Sequence, residues 1–385
     1  MRYWIRSLAH SAVRSKHGSR NCDKQGTYPH VSQQCLKIVT PSGPDPVGEI
    51  LAMPEIPTLP EACSFHLLDA VEEGLAASAL AVGDYRAAIR HCSQLIQVRP
   101  NHYEACMNLG VARFHVGETE DALFCFHQAS RLRPSDALPW LNLAIVRHHL
   151  GETEAAAEAY GAALDLDPRN EVALWNLALL LTDSADADAA EVESLLLRLV
   201  EVNPPWEQPW FRLGLIRFER GDLAGSAAAF RACLDSQPHH AEGVLNLAAV
   251  CYLMGERDEA RVRFEQALRN APQSVEALRG LAAVCVESGD WERALTMRRK
   301  LLELRHVMPE LTYNLAHALD EQGRDDEAIR MYCEVLKEKP RCAEALLNLG
   351  HVLNRQSRKS EAVECWKRAM ALDASLLHEY FRPGI

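Results

Sequence analysis

Hydrophobic and small residues recur along most of the chain with a period of 34 residues. When repeat positions are numbered from Asp69, position 7 is leucine and position 8 is alanine or glycine in all nine copies. Positions 4, 7, 8 and 11 follow the spacing of one helical face, and positions 20, 24 and 27 do the same in the second half of the unit. The pattern therefore predicts two amphipathic helices in every repeat.

Glycine and proline mark the ends of these two helices. Position 15 is glycine in seven copies, where a left-handed backbone can end the first helix. Position 32 is proline in seven copies, and proline cannot continue a helix. The small residues at positions 8 and 20 indicate a close crossing of the two helices, where larger side chains would overpack. One pair cannot bury its apolar face alone, so successive pairs must stack.

The predicted array is flanked by a longer N-terminal segment and a short tail. Its nine repeats are residues 69–102, 103–136, 137–170, 171–206, 207–240, 241–274, 275–308, 309–342 and 343–376. The fourth repeat has two extra residues, which we place between its helices in the acidic stretch 183–188. Residues 1–68 hold six prolines between Pro41 and Pro60, which predicts a largely disordered segment. Residues 377–385 are too few for another domain.

Charge and cysteine spacing exclude several classes of protein. Asp and Glu number 53 against 41 Lys and Arg, and this acidic balance argues against a nucleic-acid partner. No stretch approaches the roughly 20 apolar residues of a membrane-spanning helix, so we expect no membrane partner. The 12 cysteines form no C-x-x-C pair, which argues against a zinc site and a disulfide scaffold. We therefore expect a reducing, cytoplasmic location.

The first 22 residues add an alternative location. They carry five basic side chains and no acidic one, and apolar residues from Trp4 to Val13 fit one helical face. This composition is typical of an organellar presequence, which would direct the chain to the mitochondrial matrix. Two other interpretations stay open, namely a disordered basic tail and a working translation start near Met53.

The repeat resembles the tetratricopeptide repeat family. That family has tryptophan or a small apolar residue at position 4, leucine at 7, glycine or alanine at 8, alanine at 20, an aromatic residue at 24, alanine at 27 and proline at 32. The third copy shows the pattern as Trp140, Leu143, Ala144, Ala156, Tyr160, Ala163 and Pro168. The resemblance covers 308 of 385 residues and implies an all-α fold. It further implies a right-handed superhelical solenoid of antiparallel helix pairs with a concave inner groove.

Catalytic chemistry has no clear place in this sequence. It contains no nucleotide-binding, zinc-protease or nucleophile-elbow motif, so we expect no enzyme and no cofactor.

Neighbouring histidines on a helix point about 100° apart, so the pair His148 and His149 is no chelate. His115 and His149 share position 13, where solvent or peptide contact is more plausible than metal. The spacing of five cysteines suits small buried hydrophobes: Cys92, Cys106, Cys233, Cys251 and Cys285.

Asparagine recurs at position 6 of the repeat. Positions 2, 5, 6, 9, 12 and 13 lie on the side of the first helix opposite its apolar stripe. In the family this side lines the groove, which implies peptide binding by Asn108, Asn142, Asn176, Asn246, Asn314 and Asn348. Amides both donate and accept hydrogen bonds, so such a row can pair with an extended peptide backbone. It resembles the asparagine ladder of O-linked N-acetylglucosamine transferases. The alternative is that each amide bonds to a neighbouring helix.

Position 5 places apolar residues on the same side. They are Met107, Leu141, Trp175, Phe211, Leu245, Tyr313 and Leu347. Exposed apolar side chains need a helix or a ligand to cover them. Trp175 and Phe211, followed by Asn176 and Arg212, form the richest predicted cluster of binding anchors. Packing between adjacent first helices is the alternative.

One subgroup of the family captures acidic chaperone tails with a carboxylate clamp. Asn176 and Arg212 match two of the clamp positions, but Leu141, Ile145 and Gln208 stand where lysine, asparagine and lysine are required. We therefore expect no chaperone binding of this kind. After residue 68, acidic residues outnumber basic ones by 48 to 34, which suits an extended or basic peptide.

These features predict a non-catalytic scaffold or adaptor that binds a protein segment in the groove. A regulatory or substrate-recruiting subunit of a separately encoded enzyme is the first alternative. An RNA-binding helical-repeat protein is the second, and the acidic balance argues against it.

Overall fold

A computed structural model describes residues 61–182 and 188–373, with side chains from residue 70 onward. The described residues form eighteen helices and no strand, which confirms the all-α prediction. The helices are α1 Glu61–Ala81, α2 Tyr85–Val98, α3 Tyr103–His115, α4 Thr119–Leu132, α5 Ala137–Leu150, α6 Thr153–Leu166, α7 Glu171–Thr182, α8 Ala189–Val202, α9 Glu207–Glu219, α10 Leu223–Ser236, α11 Ala241–Met254, α12 Arg257–Asn270, α13 Val275–Glu287, α14 Trp291–Glu303, α15 Pro309–Glu321, α16 Asp325–Glu338, α17 Ala343–Arg355 and α18 Lys359–Leu372.

Several predictions fall outside the described residues. They concern the basic segment and the prolines up to residue 60, most of the acidic stretch in repeat four, and the C-terminal tail. The helix bounds nevertheless confirm where the extra residues of repeat four lie, because α7 ends at Thr182 and α8 begins at Ala189. The first helix begins at Glu61, ahead of the predicted start of the array at residue 69.

The chain divides into two compact units, with the boundary inside α9 between Pro209 and Trp210. In each unit, successive helices pack against one another as pairs. First helices of neighbouring repeats also touch, as α11 and α13, α13 and α15, and α15 and α17 do in the C-terminal unit. Each repeat therefore buries its apolar stripe against its own second helix and against the next repeat.

The turns follow the predicted residues closely. All seven glycines at position 15 have left-handed backbones, with φ between 71° and 87°. In the ninth repeat Ser357 occupies the same position and the same region, with φ of 61°. Seven second helices end two residues before the proline at position 32, as predicted. The seventh repeat lacks that proline, and there Arg305 turns the chain with φ of 60°.

The two helices of a repeat cross at small residues. A Cβ placed on Gly110 would lie 2.7 Å from the ring of Phe126, and one on Gly214 would lie 2.5 Å from the ring of Phe230. Ser226 at position 20 donates a buried hydrogen bond of 2.7 Å to the carbonyl oxygen of Gly214. The crossing predicted for positions 8 and 20 is therefore confirmed, and the ring at position 24 fills the space that a larger residue at position 8 would need.

The crossing predicts a stability difference between two glycines. Gly110→Ala should lower the free energy of unfolding by about 1–3 kcal/mol, because the ring of Phe126 is fully buried and cannot retreat. Gly161→Ala in α6 is the matched control, since a Cβ there meets nothing within 4 Å. It should leave stability unchanged or raise it by up to about 1 kcal/mol. Urea unfolding followed by circular dichroism measures both, and equal effects would contradict the crossing.

The left-handed serine predicts a stabilising substitution. A left-handed backbone at a non-glycine residue destabilises the folded state by about 1–2 kcal/mol. Glycine avoids this strain but loses more backbone entropy on folding, which offsets part of the gain. Ser357→Gly should therefore stabilise the C-terminal unit by about 1 kcal/mol. The reverse change at Gly323, whose φ is 71° and whose added Cβ meets nothing within 4 Å, should destabilise it by a similar amount. Thermal unfolding of the two variants tests the pair, and shifts of the same sign would refute it.

Candidate functional site

The asparagines at position 6 do not all lie on an open surface. Asn314 and Asn348 are half-buried. Four others are at most 2% exposed: Asn108, Asn142, Asn176 and Asn246. The prediction of an exposed row is wrong for these four, because the helices packed around each first helix, including the second helix of the preceding repeat, enclose the position. Binding by the asparagines stays a prediction.

Hydrogen bonding of the amides differs from repeat to repeat. Asn348 Nδ2 donates a hydrogen bond of 3.1 Å to the hydroxyl of Tyr313 in the preceding repeat, as the alternative interpretation expects. Asn176 Nδ2 and Asn246 Oδ1 are buried without a hydrogen-bond partner among the described residues. An unpaired buried polar atom costs about 1–3 kcal/mol, so these two amides have bonding capacity left unused.

The residues at position 5 fall into two groups. Met107, Leu141 and Leu347 are at most 1% exposed, so they pack between helices as the alternative interpretation expects. Phe211 is also buried, and its ring centroid lies 5.7 Å from that of Phe230 and 4.8 Å from that of His240. The remaining three, and Arg212 at position 6, are half-buried: Trp175, Leu245 and Tyr313.

The residues of the predicted anchor cluster belong to different units. Trp175 and Asn176 belong to the N-terminal unit, whereas Phe211 and Arg212 belong to the C-terminal unit. Within the N-terminal unit, Trp175 lies beside Trp206, with ring centroids 4.8 Å apart and planes inclined by 47°. We call these two residues the tryptophan pair. The sequence analysis missed Trp206 because it lies in the turn before α9, outside the helical pattern.

The C-terminal unit contains a cavity of about 280 Å³ at the first helix of repeat eight. We call it the repeat-eight cavity; it is lined by Pro309, Glu310, Tyr313, Asn314, Val335, Lys339, Cys342 and Glu344. Tyr313 and Asn314 were predicted from the sequence, and the cavity brings them together with charged residues that were not. A signal for these existed, because position 2 is glutamate in the last four repeats: Glu242, Glu276, Glu310 and Glu344.

One of the cavity carboxylates is already neutralised. Burial by itself raises the pKa of Glu310, but the hydrogen bond and charge of Lys339 and the charge of Arg279 outweigh it, so the pKa lies below its usual value. Burial lowers the pKa of Arg279, and the carboxylates of Glu276 and Glu310 partly offset this. Glu344, in contrast, is exposed and accepts a weak hydrogen bond of 3.4 Å from the Cys342 thiol.

Position 13 contacts the preceding repeat while part of it faces solvent. His115 is half-buried and stacks on Tyr85 of the preceding repeat, with centroids 4.2 Å apart and planes at 7°. His149 is exposed, as expected for a solvated histidine, and its ring also packs edge-on against Phe114 at 5.2 Å. Similar contacts recur in the C-terminal unit, where Glu287 pairs with Arg257 and Tyr252, and Arg355 pairs with Asp320 and Asp325. Peptide contact by the two histidines stays a prediction.

The stacked histidine predicts a pH dependence of stability. Burial lowers the pKa of His115 below its usual value, so the unfolded chain binds more protons just below about pH 6.5. Stability of the N-terminal unit should fall from about pH 7 to about pH 5.5 and level off below the folded pKa. His115→Gln should flatten this decline, leaving the part due to His127, whose pKa is also lowered by burial and by Arg147 and Arg131. Urea midpoints across this range give the result, and an unchanged slope would count against the assignment.

The cysteines behave as packed hydrophobes. The five predicted to be buried are buried and form no disulfide among the described residues, which confirms that interpretation. Burial raises the pKa of Cys92 to about 12 and that of Cys251 to about 12. These thiols are therefore protonated at neutral pH and poor nucleophiles or metal ligands.

Two clusters in the described part of the chain have metal-ligand composition. Cys251, Glu256 and Glu259 form one, but Arg231 lies between the carboxylates at 3.0 and 2.6 Å and neutralises them. The other is Glu73, His102 and Glu104. There the Nδ1 atom of His102 caps α3 by accepting the amide hydrogen of Ala105 at 3.2 Å, and Glu104 pairs with Arg133 at 2.5 Å. Both clusters therefore have a structural explanation.

Tandem helix pairs with glycine-ended first helices define a helical-repeat protein. Family models described as tetratricopeptide repeat match residues 79–145, 138–170, 217–285, 254–306 and 313–375. The chain belongs to the tetratricopeptide repeat family, which confirms the resemblance drawn from the sequence.

Individual relatives match only in part. Tetratricopeptide repeat protein 8 of Caenorhabditis elegans is 38% identical over 52 residues, which span 14% of this chain and 10% of that protein. The structure of Naa15/Naa10 bound to HypK-THB has a TM-score of 0.50 at 16% identity, covering 81% of this chain and 52% of that one. YrrB, a TPR protein with an unusual peptide-binding site, has a TM-score of 0.43 at 21% identity, covering 49% of this chain and 96% of that one. The chain thus spans a tenth of the curated relative and about half of the Naa15/Naa10 chain.

Among the described helices, none combines the length and the apolar character needed to cross a membrane.

Proposed function

We propose that this protein is a non-catalytic scaffold or adaptor that binds an extended segment of a partner protein, with the tryptophan pair as a main anchor. Tetratricopeptide repeats commonly mediate protein–protein interaction. The observation that carries the proposal is the half-buried tryptophan pair, 4.8 Å between ring centroids, on repeat four. Paired tryptophans offer a large apolar area, and such residues dominate the binding energy of interfaces.

The turn that carries Trp206 is held in place before any ligand arrives. The amide hydrogen of Trp206 bonds to the carbonyl oxygen of Asn203 at 3.2 Å, and the Asn203 side chain donates to Glu171 at 2.9 Å. The second ring therefore loses little freedom when a partner binds, which favours affinity. Repeat four supplies both rings and both of these contacts.

A random peptide library displayed on phage and selected on the full chain tests the proposal. Peptides enriched on the wild-type protein should bind about 10- to 30-fold more weakly to a Trp175→Ala, Trp206→Ala double variant, because an interface anchor contributes about 2 kcal/mol. Fluorescence anisotropy of a labelled enriched peptide measures the change.

Trp140→Ala is the matched control for this test. Trp140 is also half-buried and lies in the same unit, but at position 4 of repeat three, on the apolar stripe of the first helix. Its loss should cost stability and spare peptide affinity. Equal loss of affinity in both variants, or no enriched peptide at all, would refute the proposed function.

A further inference from the structure

The repeat-eight cavity has the size and the walls of a subsite for one polar side chain. Its volume of about 280 Å³ lies below the range of about 300–1,000 Å³ typical of small-molecule pockets. The lining includes the carboxylates of Glu310 and Glu344, the ring of Tyr313 and the amide of Asn314. The lining also includes the ammonium of Lys339, which is paired with Glu310. A side chain that is flat, cationic and rich in hydrogen-bond donors matches the remaining groups, namely Glu344, Tyr313 and Asn314.

Glu344 is the cavity charge that has no cation of its own. Glu310 pairs with Lys339, whereas Glu344 forms no ion pair with any residue the structure describes. Its hydrogen bond from Cys342 comes from a thiol, which is a weak donor. An incoming cation can therefore replace or join this contact at little cost.

Tyr313 offers a ring that is fixed in orientation. Asn348 donates to its hydroxyl at 3.1 Å, and its centroid lies 6.0 Å from that of the buried Tyr332 in an edge-on contact. The face of an aromatic ring attracts cations, and arginine uses such faces more often than lysine does. Because the ring is already held, a stacked guanidinium gains the contact without ordering the receptor.

We propose that the repeat-eight cavity receives an arginine side chain from an extended segment of the partner protein. The guanidinium forms a two-pronged ion pair with Glu344 and stacks on Tyr313, while the Asn314 amide oxygen accepts one of its remaining hydrogens. The inference rests on the proposed function, because it assigns one contact of the segment that the protein binds.

Charge complementarity favours an arginine over the other candidates. Position 2 is glutamate in each of the last four repeats, and the first helices that carry Glu276, Glu310 and Glu344 pack side by side. The carboxylate of Glu310 lies close enough to Arg279 to affect its pKa, and it shares the cavity with Glu344. Lys339 and Arg279 neutralise Glu310, so the uncompensated charge among the lining residues is that of Glu344, which would repel a carboxylate ligand. An apolar side chain would leave Glu344 to be desolvated without a partner.

The test compares two labelled peptides on the full chain. One contains alternating serine and arginine, and the other carries citrulline at every arginine position, which keeps the shape and removes the charge. We expect the arginine peptide to bind the wild-type protein more tightly than the citrulline peptide in fluorescence anisotropy at about 0.15 M salt. Glu344→Gln should weaken the arginine peptide about tenfold, the effect of losing a hydrogen bond to a charged group.

Three further variants separate an effect of the cavity from an effect of the protein's overall negative charge. Glu364→Gln removes the same charge from an exposed position on α18 and should leave affinity unchanged. Tyr313→Phe keeps the ring and loses the hydroxyl, so it should bind within about twofold of wild type, whereas Tyr313→Leu should weaken binding. Equal effects of Glu344→Gln and Glu364→Gln, including no effect of either, would overturn the proposal, as would citrulline binding as tight as arginine binding.

The two experiments together distinguish failure of the arginine subsite from failure of the proposed function. Peptides that depend on Trp175 and Trp206 but lack arginine, and are indifferent to Glu344→Gln, would refute the arginine subsite and leave the interaction role intact. If the phage library yields no peptide at all, the proposed function itself fails.

Discussion

The close crossing of two helices within each repeat is the constraint on which the structure depends. It requires a residue with little or no side chain at position 8. Where that residue is glycine, a large ring at position 24 fills the space, as Gly110 with Phe126 and Gly350 with Trp366 illustrate. A ring that fills the space above a glycine allows the two backbones to approach closely. The same packed rings then form part of the surface on which the next helix pair rests. Because every repeat packs its two helices in this way, the stacked repeats form a continuous hydrophobic core.

When successive repeats stack, polar side chains opposite the apolar stripe of the first helices form contacts with the neighbouring repeat. His115 on Tyr85 and Arg355 on Asp320 join successive repeats through positions that appear free in a single helix. Asn348 contributes its amide to Tyr313 for the same purpose. A half-buried aromatic residue outside these contacts, such as Trp206, is therefore informative about binding.

The two units differ in what they leave open. In the N-terminal unit it is the half-buried tryptophan pair. In the C-terminal unit it is a cavity that combines a fixed tyrosine ring with the carboxylate of Glu344, which forms no ion pair with any residue in the described part of the chain. The ligand groups proposed above differ accordingly, with an apolar side chain for the tryptophan pair and an arginine for the repeat-eight cavity.

The linear pattern of residues was sufficient to predict the helix pairs, their glycine turns and their crossing, because each depends on residues close together in one repeat. It also selected Trp175, Tyr313 and Asn314, since their side of the helix follows from spacing alone. It could not decide that Asn108 is buried or that Trp206 lies beside Trp175. Burial and pairing of this kind depend on how closely neighbouring repeats approach, and only the packed tertiary structure determines that distance.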